Sequence, residues 1–479
     1  MSAPKPRSSK GPLHVGLSAL LAIYGCATPE EQQRAFGPST PVPTASSTSP
    51  VPSPSSSSVP SPSNTAPPEL PSGASPPQPW TAPGLSLFDD PTSCEAQNLS
   101  AGRSRLRRLT RLEYNNSVRD LLGDDSRPAN AFVADQKVLG FNNNAYAAAG
   151  TTIAREYVLT AETLARAAVS SNLSSLMDCG PEPSDACISE FIRRFALRAF
   201  RAPIEPAHFA RLQTLYLDTS TRFGLAAGIE AVLTSILSSP RFLYVLEYGA
   251  DSIAPLEAPN RAVSQYELAA RLSFYLWRSV PDLELLELAG LGELADASRL
   301  QTQAERMLRD PRAISAVQDF AEQWLELDGL EGITKDSNLG FAWTPEVARA
   351  LRTESLLTYS NAVLSEGSTL AQLLLSPTSY INGELGEYYA VPVSNLVFGR
   401  RDVNPDPARP IRLGLLGQGG VLARHAHATL ASPVLRGKLV RDKFLCRPVP
   451  PPDSAIVGII PPAPNTHVVG KTTRDLVTA

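Results

Sequence analysis

Residues 264–282 read SQYELAARLSFYLWRSVPD, and this stretch decides the fold class. Ser264, with Glu267 three residues later, has the pattern of a capping box, in which each side chain bonds the other residue's backbone at a helix start. Apolar residues then recur every three or four positions, as they do along the buried face of an amphipathic helix. Pro281 cannot continue a helix. The stretch therefore predicts a helix that begins after Ser264 and ends before Pro281.

The same pattern repeats on both sides of this stretch. Thr110 and Glu113 form a second capping box, and Gly123 ends the helix that follows. Further helices are predicted to begin near Thr152, Cys187, Pro206, Leu225, Ser298, Pro311 and Thr344. We find no clear series of alternating strands. The sequence therefore predicts an all-α fold, with multi-helix domains at residues 95–250 and 260–375 and an irregular, turn-rich C-terminal module at residues 376–479. The aromatic residues at helical spacing, Trp277 and Trp324 among them, are interpreted as packing residues.

The N-terminus has the features of an export signal. A basic segment precedes the apolar residues LHVGLSALLAIYG, which end directly at Cys26. This pattern predicts a signal peptide with a lipobox at residues 1–26, and lipidation of Cys26 would tether the mature protein to a membrane. Ordinary secretion with cleavage nearby is the alternative. Residues 27–90 are rich in Ser and Pro and are interpreted as a disordered stalk.

Composition narrows the function classes. Hydrophobic residues make up 43% and charged residues 19%, which is typical of a globular chain. The net charge of −4 gives no reason to expect nucleic acid as a partner. A cluster of five arginines is interpreted as a solvated face, with nucleic-acid binding as the weaker alternative: Arg103, Arg105, Arg107, Arg108 and Arg111.

The chain has five cysteines, and no two of them have the C-x-x-C spacing. This excludes a zinc ribbon, a thioredoxin-like site and c-type haem attachment within these residues. Cys179 and Cys187 flank a short loop, and in an oxidising compartment this spacing predicts a disulfide that stabilises the fold by roughly 2–3 kcal/mol. Cys446 is left either to pair with Cys94 or to remain a thiol.

Residues 412–452 contain the candidate binding residues. A glycine-rich turn precedes His425 and His427, and Arg436 follows with Pro433 and Gly437 beside it. In an extended segment the two imidazoles would share a face and could reach a haem edge, while Arg436 could hold an anion or haem propionates together with nearby Arg424, Lys438 and Arg441. The alternative is histidines hydrogen-bonded in a loop and a solvated basic face. We predict no metal site, because a third ligand is not visible nearby, and no catalytic residue is assigned.

Several segments resemble the planctomycete-type cytochrome-associated modular proteins, a bacterial family of unestablished activity that is also common in myxobacteria. The resemblance runs in pieces over most of the folded chain, and its most specific helical segment is ELAARLSFYLWRSVPD. Other segments are RRLTRLEYNNSVRDLLG, GFNNNA, FIRRFALRAFRAPIEP, SSPRFLYVLE and SPVLRGKLVRDKFLCRPVPPP. Asn142 stands where the family usually has an acidic residue, which removes a candidate metal-binding carboxylate.

The resemblance implies a context rather than a reaction. Relatives continue past the Thr472-Thr473-Arg474 element into a region with a haem c site, so haem is expected only in a C-terminal extension. Two functions remain open. One is an exported, membrane-anchored, redox-associated protein at the periplasm or cell surface that supports or docks a c-type cytochrome or haem module and could oxidise an exported substrate. The other is a non-enzymatic helical lipoprotein that binds a partner or polymer. Whether the protein is an enzyme is left undecided.

Overall fold

The computed structural model describes residues 106–145, 150–180, 182–249, 262–336, 342–365, 367–404 and 412–447. The predicted signal peptide, Cys26, the predicted stalk and Cys94 lie outside these residues. Lipidation of Cys26 and the pairing of Cys94 with Cys446 therefore stay predictions. Among the helices of the described residues, none combines the length and apolar composition needed to cross a bilayer.

The prediction of an all-α fold is confirmed. Residues 106–249 form six helices: α1 (Arg111–Leu122), α2 (Thr151–Met177), α3 (Asp185–Phe200), α4 (Pro206–Phe223), α5 (Leu225–Leu237) and α6 (Pro240–Leu243). Four two-residue strands accompany them, β1 (Arg107–Arg108), β2 (Lys137–Val138), β3 (Phe141–Asn142) and β4 (Tyr244–Val245), with β1 paired to β4 and β2 to β3, both antiparallel. Their shortness explains why no alternating pattern marks them in the sequence.

The middle of the chain forms α7 (Gln265–Leu276), α8 (Leu283–Gly290), α9 (Ala297–Arg309), α10 (Arg312–Trp324) and α11 (Pro345–Leu364). Shorter elements follow: α12 (Leu370–Leu375), β5 (Thr378–Ile381), α13 (Gly383–Tyr389), β6 (Gly399–Asp402), α14 (Gly419–Arg424) and α15 (Pro433–Leu439), with β5 and β6 antiparallel. The contrast between the long helices before residue 365 and the short elements after it agrees with the predicted turn-rich C-terminal region.

Local capping explains where the two best-predicted helices begin. Thr110 accepts a hydrogen bond from the backbone N–H of Glu113, and the Glu113 carboxylate accepts one from the backbone N–H of Thr110. Ser264 and Glu267 make the same reciprocal pair at α7. Both predicted capping boxes are confirmed. At α9 the cap is Asp296 and not Ser298, because the Asp296 carboxylate accepts from two backbone N–H groups.

Three apolar clusters hold the helices together. The first joins α1–α6 and the second joins α10 to the C-terminal elements up to Leu439. The third lies around the α7–α9 region and includes Trp277, which is 0% exposed and donates from its indole N–H to the Met307 carbonyl. Trp277 and Trp324 are therefore packing residues, as predicted. The second cluster contains residues on both sides of position 375, and the predicted domain boundaries stay a prediction.

The interpretation of the arginine cluster as a solvated face is wrong for two of its members. Arg108 is 4% exposed, and Arg107 bonds the buried carboxylate of Glu113 at 2.7 Å. Burial raises the pKa of Glu113, but the Arg107 guanidinium and the capping bond outweigh it and hold that pKa below its usual value. Arg107 therefore supports the start of α1. Arg103 and Arg105 lie outside the described residues.

The Cys179–Cys187 disulfide is confirmed, with the two Cα atoms 6.2 Å apart. The disulfide joins the end of α2 to the start of α3. It stabilises the fold because it restricts the conformations that the unfolded chain can adopt. We expect the double variant Cys179→Ser/Cys187→Ser to lose about 2 kcal/mol of unfolding free energy in urea titrations. Reduced wild-type protein serves as the control, because it should unfold at the same urea concentration as the variant. Two unmodified thiols in non-reducing peptide maps of protein produced in an oxidising compartment would contradict the assignment.

Candidate functional site

The glycine-rich turn brings the C-terminal segment against α11 and α12. At Gly414, φ is +51°, and an added Cβ would lie 2.2 Å from the backbone carbon of Leu374. Its N–H donates to the Ser376 carbonyl at 2.7 Å. An added Cβ at Gly419 would lie 2.7 Å from a methyl group of Leu351. The turn is therefore built for close backbone approach, and it carries α14 and the residues after it into the second apolar cluster.

His425 ends α14 in a buried position. It is 6% exposed, and its Nε2–H donates to the Leu325 carbonyl at 3.3 Å, which fixes the tautomer because a carbonyl can only accept. Burial lowers the pKa of His425, so the ring is neutral at pH 7. His427, by contrast, is exposed. The loop histidines thus differ in environment, and the proposed haem contact of His425 and His427 stays a prediction.

Three half-buried cations converge on the loop that contains the two histidines. Lys335 donates from its ammonium to the carbonyls of Ala426 and His427, at 3.2 and 2.9 Å. Arg424 donates from Nε to the Glu326 carbonyl at 2.8 Å. Arg436 donates to the Leu422 carbonyl at 3.3 Å. We call Lys335, Arg424 and Arg436 the basic site.

The three cations of the basic site have no ion-pair partner among the described residues, and the nearby Glu326 carboxylate pairs with Lys443 instead. Within the part of the chain that the structure describes, no carboxylate forms an ion pair with Lys335, Arg424 or Arg436. Burial is the main cause that lowers the pKa of Lys335, and the charges of Arg436 and Arg424 lower it further. Burial, then Arg412, lowers the pKa of Arg436, whose Nε–H is buried without a partner. An anion beside the three cations would relieve their mutual repulsion.

The structure brings together some of the sequence-predicted basic residues and separates others. Arg424 and Arg436 belong to the basic site. Lys438 instead pairs with Asp442 one helical turn away, and Arg441 donates to the Arg447 carbonyl. Lys335 was missed by the sequence reasoning. It lies 91 residues before its acceptor at Ala426, and no local pattern connects the two positions.

Four family models match the chain, in an order that follows its elements. PSD3, Protein of unknown function (DUF1587), matches residues 107–170, and PSD5, Protein of unknown function (DUF1595), matches residues 187–247. PSD4, Protein of unknown function (DUF1592), matches residues 263–391, and PSCyt3, Protein of unknown function (DUF1588), matches residues 412–479. Together they cover about two thirds of the 479 residues. The chain belongs to the planctomycete cytochrome-associated modular family.

Membership of this cytochrome-associated family indicates a redox-associated context without specifying a reaction. The PSCyt3 match covers Arg424, His425 and Arg436, so most of the basic site lies in the part of the chain that carries the cytochrome-associated name. Lys335 comes from the PSD4 match. The basic site therefore joins two family segments. Comparisons with curated proteins and with solved structures found no match.

Proposed function

We propose that this member of the cytochrome-associated family is an exported lipoprotein, anchored through Cys26 and facing the periplasm or cell surface, that binds a c-type cytochrome or haem module at the basic site. The observation that carries the proposal is the convergence of Lys335, Arg424 and Arg436, whose hydrogen bonds in the described residues go to backbone carbonyls. Three positive charges that have no ion-pair partner among the described residues are suited to an anionic partner.

The anion is best supplied by carboxylates on the partner's surface or by haem propionates. Guanidinium groups bind carboxylates through parallel hydrogen bonds, so the half-buried guanidinium groups of Arg424 and Arg436 are suited to such a contact. The exposed side chains of Val434 and Leu435 lie beside Arg436 in α15 and could pack against the partner next to this charge contact. The charges of the basic site would then orient the partner, and the apolar contacts of Val434 and Leu435 would help to hold it in place.

Haem belongs to the partner in this proposal. Covalent attachment needs two cysteines in C-x-x-C-H, and the spacings of the five cysteines of this chain do not fit it. The described residues also contain no group of three or more His, Cys, Asp or Glu side chains suited to a metal ion. The chain's residues would therefore bind and orient a haem protein through charge, and no electron-transfer step is assigned to them.

Binding can be tested with an acidic c-type cytochrome as the probe and the full exported chain in calorimetry at low ionic strength. We expect saturable binding that weakens as salt is raised, because screening shortens the reach of the charges. Lys335→Gln and Arg436→Gln together should weaken binding about tenfold, or about 1.4 kcal/mol. Arg155→Gln, at an exposed arginine of α2, is the matched control and should bind like wild type.

The outcomes separate the two functions. Equal affinity of the double variant and wild type for the cytochrome, with both folded by circular dichroism, would rule out the basic site as its docking surface. Binding of poly-glutamate but not of the cytochrome would favour the second function, a helical lipoprotein that binds a polymer. The membrane anchor has its own test, since mass spectrometry should find acylated Cys26 at the mature N-terminus, and Cys26→Ser should release the protein from membranes.

A further inference from the structure

A cavity of about 400 Å³ opens between α11, α12 and the β5–β6 pair. Its volume is in the range of small-molecule sites. Ala371 and Leu375 of α12 form part of an apolar wall, and the Arg400 side chain lines another part and donates from Nε to the Thr378 hydroxyl at 2.9 Å. Thr358 of α11 also lines the cavity. The cavity thus combines an apolar wall, a cation and a threonine.

Thr358 connects the cavity to a carboxyl group buried behind it. Glu354 is 1% exposed and accepts hydrogen bonds from the Ser379 hydroxyl at 2.7 Å and the Tyr389 hydroxyl at 2.6 Å. The Ser379 and Thr358 hydroxyl oxygens are 3.2 Å apart. The Gln418 amide donates to both of these oxygens at 2.8 Å. We call these five residues the Glu354 cluster.

The direction of each hydrogen bond follows from counting donors and acceptors. An ionised Glu354 only accepts, so Ser379 and Tyr389 both give it their hydroxyl protons. The two N–H groups of Gln418 occupy one lone pair on Ser379 and one on Thr358. Ser379 still has a second lone pair, and the Thr358 proton fills it. With Glu354 ionised, the Thr358 proton is therefore held inside the Glu354 cluster.

Protonation of Glu354 reverses this chain. We place the new proton on the oxygen that faces Ser379, because the Tyr389 hydroxyl accepts the Gly419 N–H at 2.7 Å and its own proton has Glu354 as its acceptor among the described residues. Glu354 then donates to Ser379, and Ser379 donates to Thr358. Both lone pairs of Thr358 are filled, by Ser379 and Gln418, so its own proton is free to turn toward the cavity. Protonated Glu354 makes Thr358 a donor to whatever the cavity holds.

We propose that the cavity binds a small carboxylate with an apolar body, and that binding is coupled to uptake of one proton by Glu354. The ligand's carboxylate would accept from Thr358 and lie near the Arg400 guanidinium, while its hydrocarbon part lies against α12. One negative charge enters the cavity as one is neutralised behind it, so the local net charge is unchanged. Proton and ligand therefore favour each other by linkage.

The groups around Glu354 allow this coupling near neutral pH. Burial raises the pKa of Glu354 to about 7, although the bonds from Ser379 and Tyr389 and the charge of Arg412 lower it. Burial and the neighbouring Glu354 raise the pKa of Tyr389 well above its usual value, and burial raises that of Tyr388. Both tyrosines therefore stay protonated across this range. Glu354 is therefore the group that changes.

Octanoate is a suitable probe, because it is ionised at both pH 6 and pH 8 and has an eight-carbon apolar body. We expect full-length wild-type protein to bind octanoate about tenfold more tightly at pH 6 than at pH 8, since the protonated fraction of Glu354 falls about tenfold. Calorimetry in two buffers of different ionisation enthalpy should show uptake of up to one proton at pH 8. Octanol can accept from Thr358 but brings no negative charge, so it should show less proton uptake than octanoate.

Two variants distinguish the proposal from a general effect on folding. Glu354→Gln should bind octanoate with the same affinity at both pH values, because its amide N–H donates to Ser379 as the protonated acid does. Ala371→Trp, at an exposed position on the cavity wall, should abolish binding and leave the thermal unfolding temperature unchanged. The proposal is overturned by no saturable binding at pH 6 up to millimolar octanoate, by equal wild-type affinity at both pH values, or by unchanged binding in Ala371→Trp.

Discussion

Gly414→Ala is expected to lower the free energy of unfolding by about 3–5 kcal/mol, the largest effect of a single methyl group that we predict. The added Cβ would lie 2.2 Å from the backbone carbon and oxygen of Leu374, and backbone atoms cannot rotate away as a side chain can. The φ of +51° adds strain for any residue with a Cβ. Relief requires the turn to move off α12, which would break the bond from Gly414 to Ser376.

Urea unfolding monitored by tryptophan fluorescence gives this free energy directly. Gly437→Ala is the matched control, because an added Cβ there meets nothing within 4 Å and the residue lies inside α15. Alanine favours a helix over glycine, so we expect Gly437→Ala to be neutral or slightly more stable than wild type. A Gly414→Ala variant as stable as the Gly437→Ala control would contradict the close approach of the turn to α12.

Ionisation of Glu354 is expected to lower the free energy of unfolding by about 3 kcal/mol as the pH rises from about 4.5 to about 7. The pKa of this carboxyl is raised from 4.5 in the unfolded chain to about 7 in the folded protein, with burial as the main cause. Between those values the folded state binds more protons than the unfolded state, so raising the pH favours unfolding. The loss of unfolding free energy levels off above pH 7, where Glu354 is ionised in both the folded and the unfolded state.

The comparison of wild type with Glu354→Gln isolates this contribution, since the variant has no titratable group at the position. We expect urea titrations at pH 5 and pH 8 to show a steeper loss of stability in wild type than in Glu354→Gln. Glu287→Gln, an exposed position of α8, should retain the wild-type difference. Identical pH dependence in wild type and Glu354→Gln would show that Glu354 does not titrate in this range.

Parts of the candidate site could be read from sequence, and parts could not. Arg424, His425 and Arg436 stand close together in one segment, so their grouping was visible. Lys335 and Glu354 were not found. For Glu354 a signal existed, because Leu351, Glu354 and Thr358 fall on one face of a predicted helix and place a carboxyl in an apolar stripe. For Lys335 no such signal exists, since its loop partners come much later in the chain.

The sequence by itself determined the features that depend on neighbours a few residues apart. These are the helix starts at Thr110 and Ser264, the glycines of the C-terminal turn and the disulfide, whose cysteines are separated by 8 positions. Only the tertiary structure decided that Arg108 is buried, that Lys335 joins the basic site and that Glu354 lies behind a cavity. Caps and short loops are local interactions, whereas burial and convergence of charge depend on which distant helices pack together.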